Sequence, residues 1–317
     1  MANDGLFVID KPGGPTSHDV VQRVRRLLGT RRVGHGGTLD PDATGVLLVA
    51  VGQATRFFPF LSKENKVYEG LIRLGYATDT YDASGRPAAA PCPVLPGREA
   101  IEAAMKTFEG DILQTPPRFS AKKLAGKPVY KRARADEVFT LAPVAISVTR
   151  FSPGEYNPPV LAFTAACSSG TYIRSLAHDL GQILGCGAHL AALRRTSVGP
   201  YTLAEAVPLA RLEEAAEADP VDPVVADAAD RGAVRFLRPL ESLLPQVPAV
   251  VVRPEAEVYI RNGRPLGPAQ LASPFPAPAG TGADQGPVRL LSEGGSLLAL
   301  ARPTPDGAGL HPFLVIA

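Results

Sequence analysis

Apolar positions recur along the chain in two rhythms. Residues 6–10 (LFVID) form a short apolar run that Lys11-Pro12-Gly13-Gly14-Pro15 ends, the pattern of a buried strand followed by a rigid loop. Val20, Val21, Val24, Leu27 and Leu28 then return at helical spacing, with Thr16 or Ser17 able to cap the helix and Gly29 to stop it. Residues 46–51 (VLLVAV) are continuously apolar, which predicts a buried strand or helical segment. Residues 66–75 alternate as a strand does, and Ile101, Met105 and Phe108 mark a helix over about 98–108. Residues 144–151 and 160–167 read as strands around a Pro-rich turn. Ile173, Leu176, Ala177, Leu180, Ile183 and Leu184 mark another helix, closed by Gly185 and followed by a short apolar stretch at 188–193. Beyond residue 248, short strands at 249–253, 288–291, 297–302 and 313–317 surround a Pro/Ala/Gly-rich loop at 273–287.

Composition narrows the class. With 317 residues, 45% hydrophobic and 20% charged, the chain can bury a real core and divide into one large and one small domain. Cys92, Cys167 and Cys186 are too scattered for a disulfide framework, which fits a reducing compartment. There is no signal-peptide pattern at the start and no apolar run long enough to span a bilayer, so a cytoplasmic protein without a membrane partner is expected. A net charge of +2 hides a sharp asymmetry. Residues 112–135 carry no acid, and Arg118, Lys122, Lys123, Lys127, Lys131, Arg132 and Arg134 are interleaved with Phe119 and Tyr130, a pattern suited to a nucleic-acid backbone. Residues 212–230 hold seven acidic side chains and no basic one, which predicts a solvated helical linker.

The candidate chemistry is sparse. The five histidines lack metal-ligand spacing, and no metal is expected. No phosphate-binding GxxxxGK[ST], GxGxxG fingerprint or GxSxG elbow occurs. What stands out is residues 34–45, GHGGTLDPDATG, a side-chain-poor loop that presents Asp40 next to Pro41. A carboxylate that attacks carbon must be ionised and aimed, and a guanidinium beside it would keep its pKa low. Arg174 at a strand-to-helix corner is the candidate partner, with Tyr172 beside it able to stack on a flat base. Asp79 and Asp82 are expected to shape a turn, with Asp82 able to hold a loop near the site, and His178 and Asp179 to lie on a helix surface.

The ordered set Asp10-Lys11-Pro12 with Ser17, Arg32-Val33-Gly34-His35 through Asp40-Pro41 to Gly45, Lys66-Val67-Tyr68 with Thr78-Asp79-Thr80, Ser120-Ala121-Lys122-Lys123 with Gly126 to Tyr130, and Gly170-Thr171-Tyr172-Ile173-Arg174 with Leu193-Arg194-Arg195-Thr196 resembles the bacterial tRNA pseudouridine-55 synthase family over roughly residues 5–200. The resemblance implies an α+β fold: a large mixed, mainly antiparallel central sheet with flanking helices, plus a small C-terminal β-rich PUA-like module. It implies a catalytic domain over 1–247, with an RNA-clamping insertion at about 114–150 and the acidic linker at about 212–240, and an RNA-binding module over 248–317.

The implied activity is isomerisation of the T-loop uridine of tRNA by base flipping, without a cofactor, by a monomer. In that scheme Asp40 is the nucleophile, Tyr68 stacks on the target base and moves a proton, and Arg174 is the partner of Asp40. Tyr172 and Leu193 wall the pocket, His35 enters the T-loop, and Lys11 and Lys66 are basic residues near the site. Lys122, Lys123, Lys127 and Tyr130 belong to the clamp. The loop glycines would leave room for RNA to press on the backbone. Two alternatives stand beside this one: a tRNA-binding or tRNA-folding factor that acts without catalysis, and a guide-RNA-dependent relative.

Overall fold

A computed structural model describes residues 4–119, 123–124, 127–128, 139, 141–218, 232–273 and 286–316. The strands are β1 (Gly5–Lys11), β2 (Val33–His35), β3 (Thr44–Val51), β4 (Lys66–Leu74), β5 (Gly110–Gln114), β6 (Lys123–Leu124), β7 (Lys127–Pro128), β8 (Val144–Asn157), β9 (Val160–Cys167), β10 (Ala188–Val198), β11 (Tyr201–Thr202) and β12 (Val207–Pro208), then β13 (Ala249–Val251), β14 (Val288–Leu291), β15 (Leu297–Pro303) and β16 (Leu310–Val315). The helices are α1 (Ser17–Leu27), α2 (Phe58–Leu61), α3 (Arg98–Lys106), α4 (Ile173–Ile183), α5 (Leu209–Ala218) and α6 (Glu257–Arg261).

Ten strands form one mixed sheet in the order β12-β1-β3-β10-β4-β9-β8-β5, with β2 added to β3 and β11 to β10. Only β1·β12 and β3·β10 are parallel; the other pairs are antiparallel. A second sheet, β13-β14-β15-β16, holds the C-terminal strands. The fold is α+β. No helix among the described residues is long and apolar enough to cross a membrane.

The continuous apolar run at 46–51 is a strand buried on both faces. Leu47, Val49 and Val51 face a core shared with Phe7, Ile9, Val20, Val24, Leu176 and Leu180. Val46, Leu48 and Ala50 face a second core, with Leu6, Val8, Phe57 and Leu61, to which Leu297, Leu300 and Leu314 of the C-terminal sheet contribute. A period-2 strand with water on neither side needs no polar alternation.

Several expectations shift. The strand expected at 144–151 runs on to Asn157, because β9 continues to pair with it as far as Asn157↔Val160. The insertion expected at 114–150 is narrower: the chain leaves the sheet after Gln114 and is back in it at Val144, paired with β5. The stretch at 188–193 is the start of the central strand β10, which inserts between β3 and β4. The expected acidic linker is not freely solvated over its first part. Leu209, Leu212 and Ala215 of α5 are buried, and Glu213 pairs with Arg23 of α1 at 3.3 Å. Residues 219–231 lie outside the described residues.

Candidate active site

β1 takes one edge of β3 along its whole length, so β2 and β10 must share the other. β2 meets the end of β3 and β10 meets its beginning, at Thr44 and Gly45. The loop carrying Asp40, residues 36–43, runs between them and is held at nearly every second residue. Arg195 Nη2 donates to the Gly37 carbonyl (3.2 Å). Ser17 Oγ accepts from Leu39 N–H (2.9 Å) and donates to the Leu39 carbonyl (3.1 Å). Lys11 Nζ donates to the Pro41 carbonyl (2.8 Å), which also accepts from Gly14 N–H (3.0 Å). Ala43 N–H closes back on the Asp40 carbonyl (3.1 Å). Thr16 supplies the reciprocal cap of α1 with Asp19, which frees the Ser17 hydroxyl for this bridge.

The glycines that flank the loop, Gly34 and Gly45, face inward, so packing and not room for RNA accounts for these two. A Cβ on Gly34 would lie 2.8 Å from the Phe58 ring, and one on Gly45, whose φ is +98°, would lie 2.2 Å from the Arg195 carbonyl oxygen. Close packing of the protein on itself excludes side chains there.

Arg174, in the first turn of α4, aims the carboxylate. Its Nε meets Asp40 Oδ2 at 2.9 Å and its Nη2 meets Asp40 Oδ1 at 3.2 Å, a bidentate pair. Nη1 donates to the Thr80 carbonyl (3.2 Å) and Asp82 Oδ2 (3.3 Å) and Nη2 also to the Phe119 carbonyl (3.0 Å), so all four Nη–H groups are engaged. The α4 corner is itself tied down: Gln114 exchanges hydrogen bonds with the Tyr172 backbone, and Ser175 Oγ donates to the Thr115 carbonyl. The Arg174 side chain is 9% exposed and that of Asp40 44%. Burial nevertheless pushes the Asp40 carboxyl above its ordinary value; Arg174 opposes the rise, and Asp82 and Asp42 add to it. This corrects the expectation of a depressed pKa. The half-exposed carboxylate is set into the wall of the site with two other acids nearby, and one guanidinium does not outweigh them.

Asp40, Arg174, Leu193, Leu39 and Thr38 form a ridge between two cavities. One, of about 660 Å³, is walled by Pro41–Ala43, Thr80, Asp82–Ser84, Phe119 and Leu190–Ala192. The other, of about 260 Å³, is walled by Lys66, Tyr68, Ser168, Gly170–Ile173 and Arg195. Tyr68, Tyr172 and Leu193 therefore meet Asp40 in the smaller cavity. Burial raises the Tyr68 phenol above its ordinary value, while Arg195 beside it pulls the other way.

The remaining predicted residues are placed differently. Lys11 is fully buried, and its ammonium is taken by the Pro12 and Pro41 carbonyls, so it holds the loop instead of facing RNA. Lys66 lines the smaller cavity but donates to the Ser62 and Glu64 carbonyls, and burial pushes its pKa down to about 8. His35 is half-buried on β2 outside both cavities, and its Nδ1 has no partner among the described residues. Lys122 and Tyr130 lie outside the described residues, and of Lys123 and Lys127 only the backbone is described, in the β6–β7 ribbon.

The chain matches two family descriptions in adjoining stretches: "TruB family pseudouridylate synthase (N terminal domain)" over residues 25–173 and "tRNA pseudouridylate synthase B C-terminal domain" over 174–245. It is 40% identical over 303 residues to the tRNA pseudouridine synthase B of Pseudomonas aeruginosa (strain UCBPP-PA14), covering 96% of this chain and 93% of that protein. The protein of the same description from Solibacter usitatus (strain Ellin6076) is 43% identical over 272 residues, covering 86% and 87%. This chain belongs to the TruB family of pseudouridylate synthases.

It is accordingly a tRNA pseudouridine synthase, an isomerase. Among solved structures, an H/ACA RNP bound to a substrate RNA containing 2′-deoxyuridine has a similar chain, with a TM-score of 0.73 and 26% identity over 100% of this chain and 86% of that one. A Cbf5-Nop10-Gar1 complex has another, with a TM-score of 0.73 and 28% identity over 98% and 84%. The boundary between the two TruB family regions falls immediately before Arg174, so the Asp40–Arg174 pair joins them. Three site residues have roles that the sequence alone does not reveal. Asp82, expected to shape a turn and at most hold a loop near the site, reaches Arg174; Arg195 is buried against the loop; Ser17 bridges to Leu39. His178, expected on a helix surface, stacks on Tyr81 with ring centroids 3.7 Å apart, and Tyr81 (φ +66°) directly precedes Asp82.

Proposed function

We propose that this chain isomerises the uridine at position 55 in the T-loop of tRNA, with Asp40 as the nucleophile and no cofactor. The observation that carries the proposal is the bidentate Asp40–Arg174 pair on a ridge between two cavities, with Tyr68 in the smaller one. The uridine leaves its stack, at a cost of a few kcal/mol that pocket contacts offset. Its base enters the smaller cavity against Tyr68, Tyr172 and Leu193, and the ribose lies over Asp40. The N1–C1′ bond breaks, the base turns, and C5 bonds to C1′; N1 gains a proton and C5 loses one. Nothing is oxidised or hydrolysed, so protein groups suffice. Asp40 has three uses that complete this change: attack on C1′, attack on C6, or removal of the 2′ proton. All three require its ionised form.

The basic run at 118–134 is the expected clamp on the T-arm backbone, and the C-terminal sheet is the expected PUA-like RNA-binding module, acting within a monomer. The likeness to a protein seen with a substrate RNA containing 2′-deoxyuridine supports a uridine-type substrate in this cleft.

Asp40→Asn tests the proposal on a T-arm hairpin carrying 5-tritiated uridine. The variant should bind the hairpin and release no tritium above background. Release near the wild-type rate would remove Asp40 from the chemistry. Activity of the purified wild-type chain on the bare hairpin would separate this reading from a guide-RNA-dependent enzyme.

A further inference from the structure

Arg195 is among the most deeply buried side chains of the molecule, at 1% exposure, and it pairs with no carboxylate among the described residues. A buried guanidinium without a counter-ion is costly, and its partners show where its charge is used. Nε donates to the Val46 carbonyl at 2.7 Å and Nη2 to the Gly37 carbonyl at 3.2 Å. The guanidinium lies beside the Tyr68 phenol and draws its pKa down against the effect of burial. The backbone enforces this meeting: Arg195 is opposite Gly45 in the parallel β3·β10 pair and opposite Tyr68 in the antiparallel β10·β4 pair. The β10·β4 register shifts between Arg195 and Ser197, an irregularity of the kind that re-aims a side chain. Both Arg195 and Tyr68 line the smaller cavity that Asp40 borders.

We infer that Arg195 is a positioning residue for the last step of the isomerisation: it aims the Tyr68 oxygen at the base and supports its negative charge while that oxygen removes the C5 proton. The inference rests on the function proposed above. In this step the C5–H bond breaks, its electron pair forms the C5=C6 double bond, the pair shared between C6 and N1 moves onto N1, which takes a proton from water, and the Tyr68 phenolate takes the C5 proton to become a phenol. That phenol had given one proton to water when the site charged, so protons balance over the cycle. A guanidinium can donate to the phenolate oxygen and cannot itself be deprotonated, which makes it a fixed counter-charge.

The test separates the C5 proton from the earlier bonds. A T-arm hairpin with 5-fluorouridine can undergo glycosidic cleavage and rejoining at C5, but the fluorine there cannot leave as a cation to a base. Arg195→Lys should slow tritium release from 5-tritiated uridine about ten-fold or more, the scale of impaired acid–base catalysis. It should consume the 5-fluorouridine hairpin at nearly the wild-type rate. In a Tyr68→Phe background the same change should have no further effect on tritium release, since residues acting as a unit are non-additive. Equal slowing on both hairpins, or full additivity with Tyr68→Phe, would overturn the assignment and leave Arg195 as a prop for the loop. Consumption of the 5-fluorouridine hairpin by Arg195→Lys also reports that the variant folds. A wild-type chain inactive on both hairpins would instead refute the proposed function.

Discussion

Two buried arginines flank the loop that carries Asp40, and they are used in opposite ways. Arg174 meets two carboxylates, Asp40 and Asp82, and two backbone carbonyls. Arg195 meets backbone carbonyls and a phenol. The first guanidinium fixes a charge that already exists on its partner. The second has no carboxylate partner among the described residues, and is available to the charge of the Tyr68 oxygen. A buried cation is thus described better by what it lacks than by its burial.

Removing Arg174 should break the comparison most severely. Arg174→Met leaves Asp40 without its bidentate partner, and kcat on the T-arm hairpin should fall by about 10³-fold or more, the upper range for losing an oriented charge-bearing donor. The acid limb of the rate should also move to higher pH. Asp40 must be ionised, burial already raises its pKa, and Arg174 is the main opposing influence, so its loss raises the pKa further and activity is lost sooner as pH falls. An acid limb unmoved or shifted to lower pH would show that Asp40 is not the group being titrated.

A milder effect with the opposite sign is expected at Asp82. Asp82→Asn removes a neighbouring negative charge that raises the Asp40 pKa, so the acid limb should move to lower pH. The variant also gives up one charge-assisted hydrogen bond to Arg174, worth roughly 1.5–3 kcal/mol, so kcat should fall about ten-fold or more at neutral pH. Parallel shifts in the two pH profiles would contradict the division of roles around Arg174.

The smallest effect lies outside the cavities. Replacing Lys122, Lys123, Lys127 and Lys131 by Gln should weaken T-arm binding and lower the slope of log K against log salt by about one for each phosphate no longer neutralised. Arg174→Met, whose guanidinium is enclosed, should leave that slope unchanged. Identical slopes for wild type and the lysine variant would make the run a solvated surface.

Much of this architecture is legible in the order of the residues. The six apolar residues of β3, the helical spacing of α1 and α4 and the loop around Asp40 are local patterns, and each becomes the expected element. The Asp40–Arg174 meeting is legible from motif order. The rest depends on which strands become neighbours. β10 reads as a short apolar stretch because His189, Arg194, Arg195 and Ser197 break its periodicity, yet most of these polar groups find partners once β3 and β4 flank it. The same holds for Asp82, whose second task exists only where α4 passes over it. The elevated Asp40 pKa is likewise a sum over the enclosing walls, Arg174, Asp82 and Asp42, of which only Asp42 is near in sequence.

The insertion of β10 between β3 and β4 also constrains the order of assembly. Arg174 and Asp40 are 134 residues apart, Arg195 and Val46 149, and Arg194 and Asp10 184. Such distant pairings close large loops before any interaction rewards them, which slows folding. Until residues 188–198 arrive, β4 lacks one neighbour and the beginning of β3, at Thr44 and Gly45, is open on the edge that β2 does not reach. A chain ended before β10 would offer two unpaired strand edges to its neighbours and should aggregate before it could bind RNA.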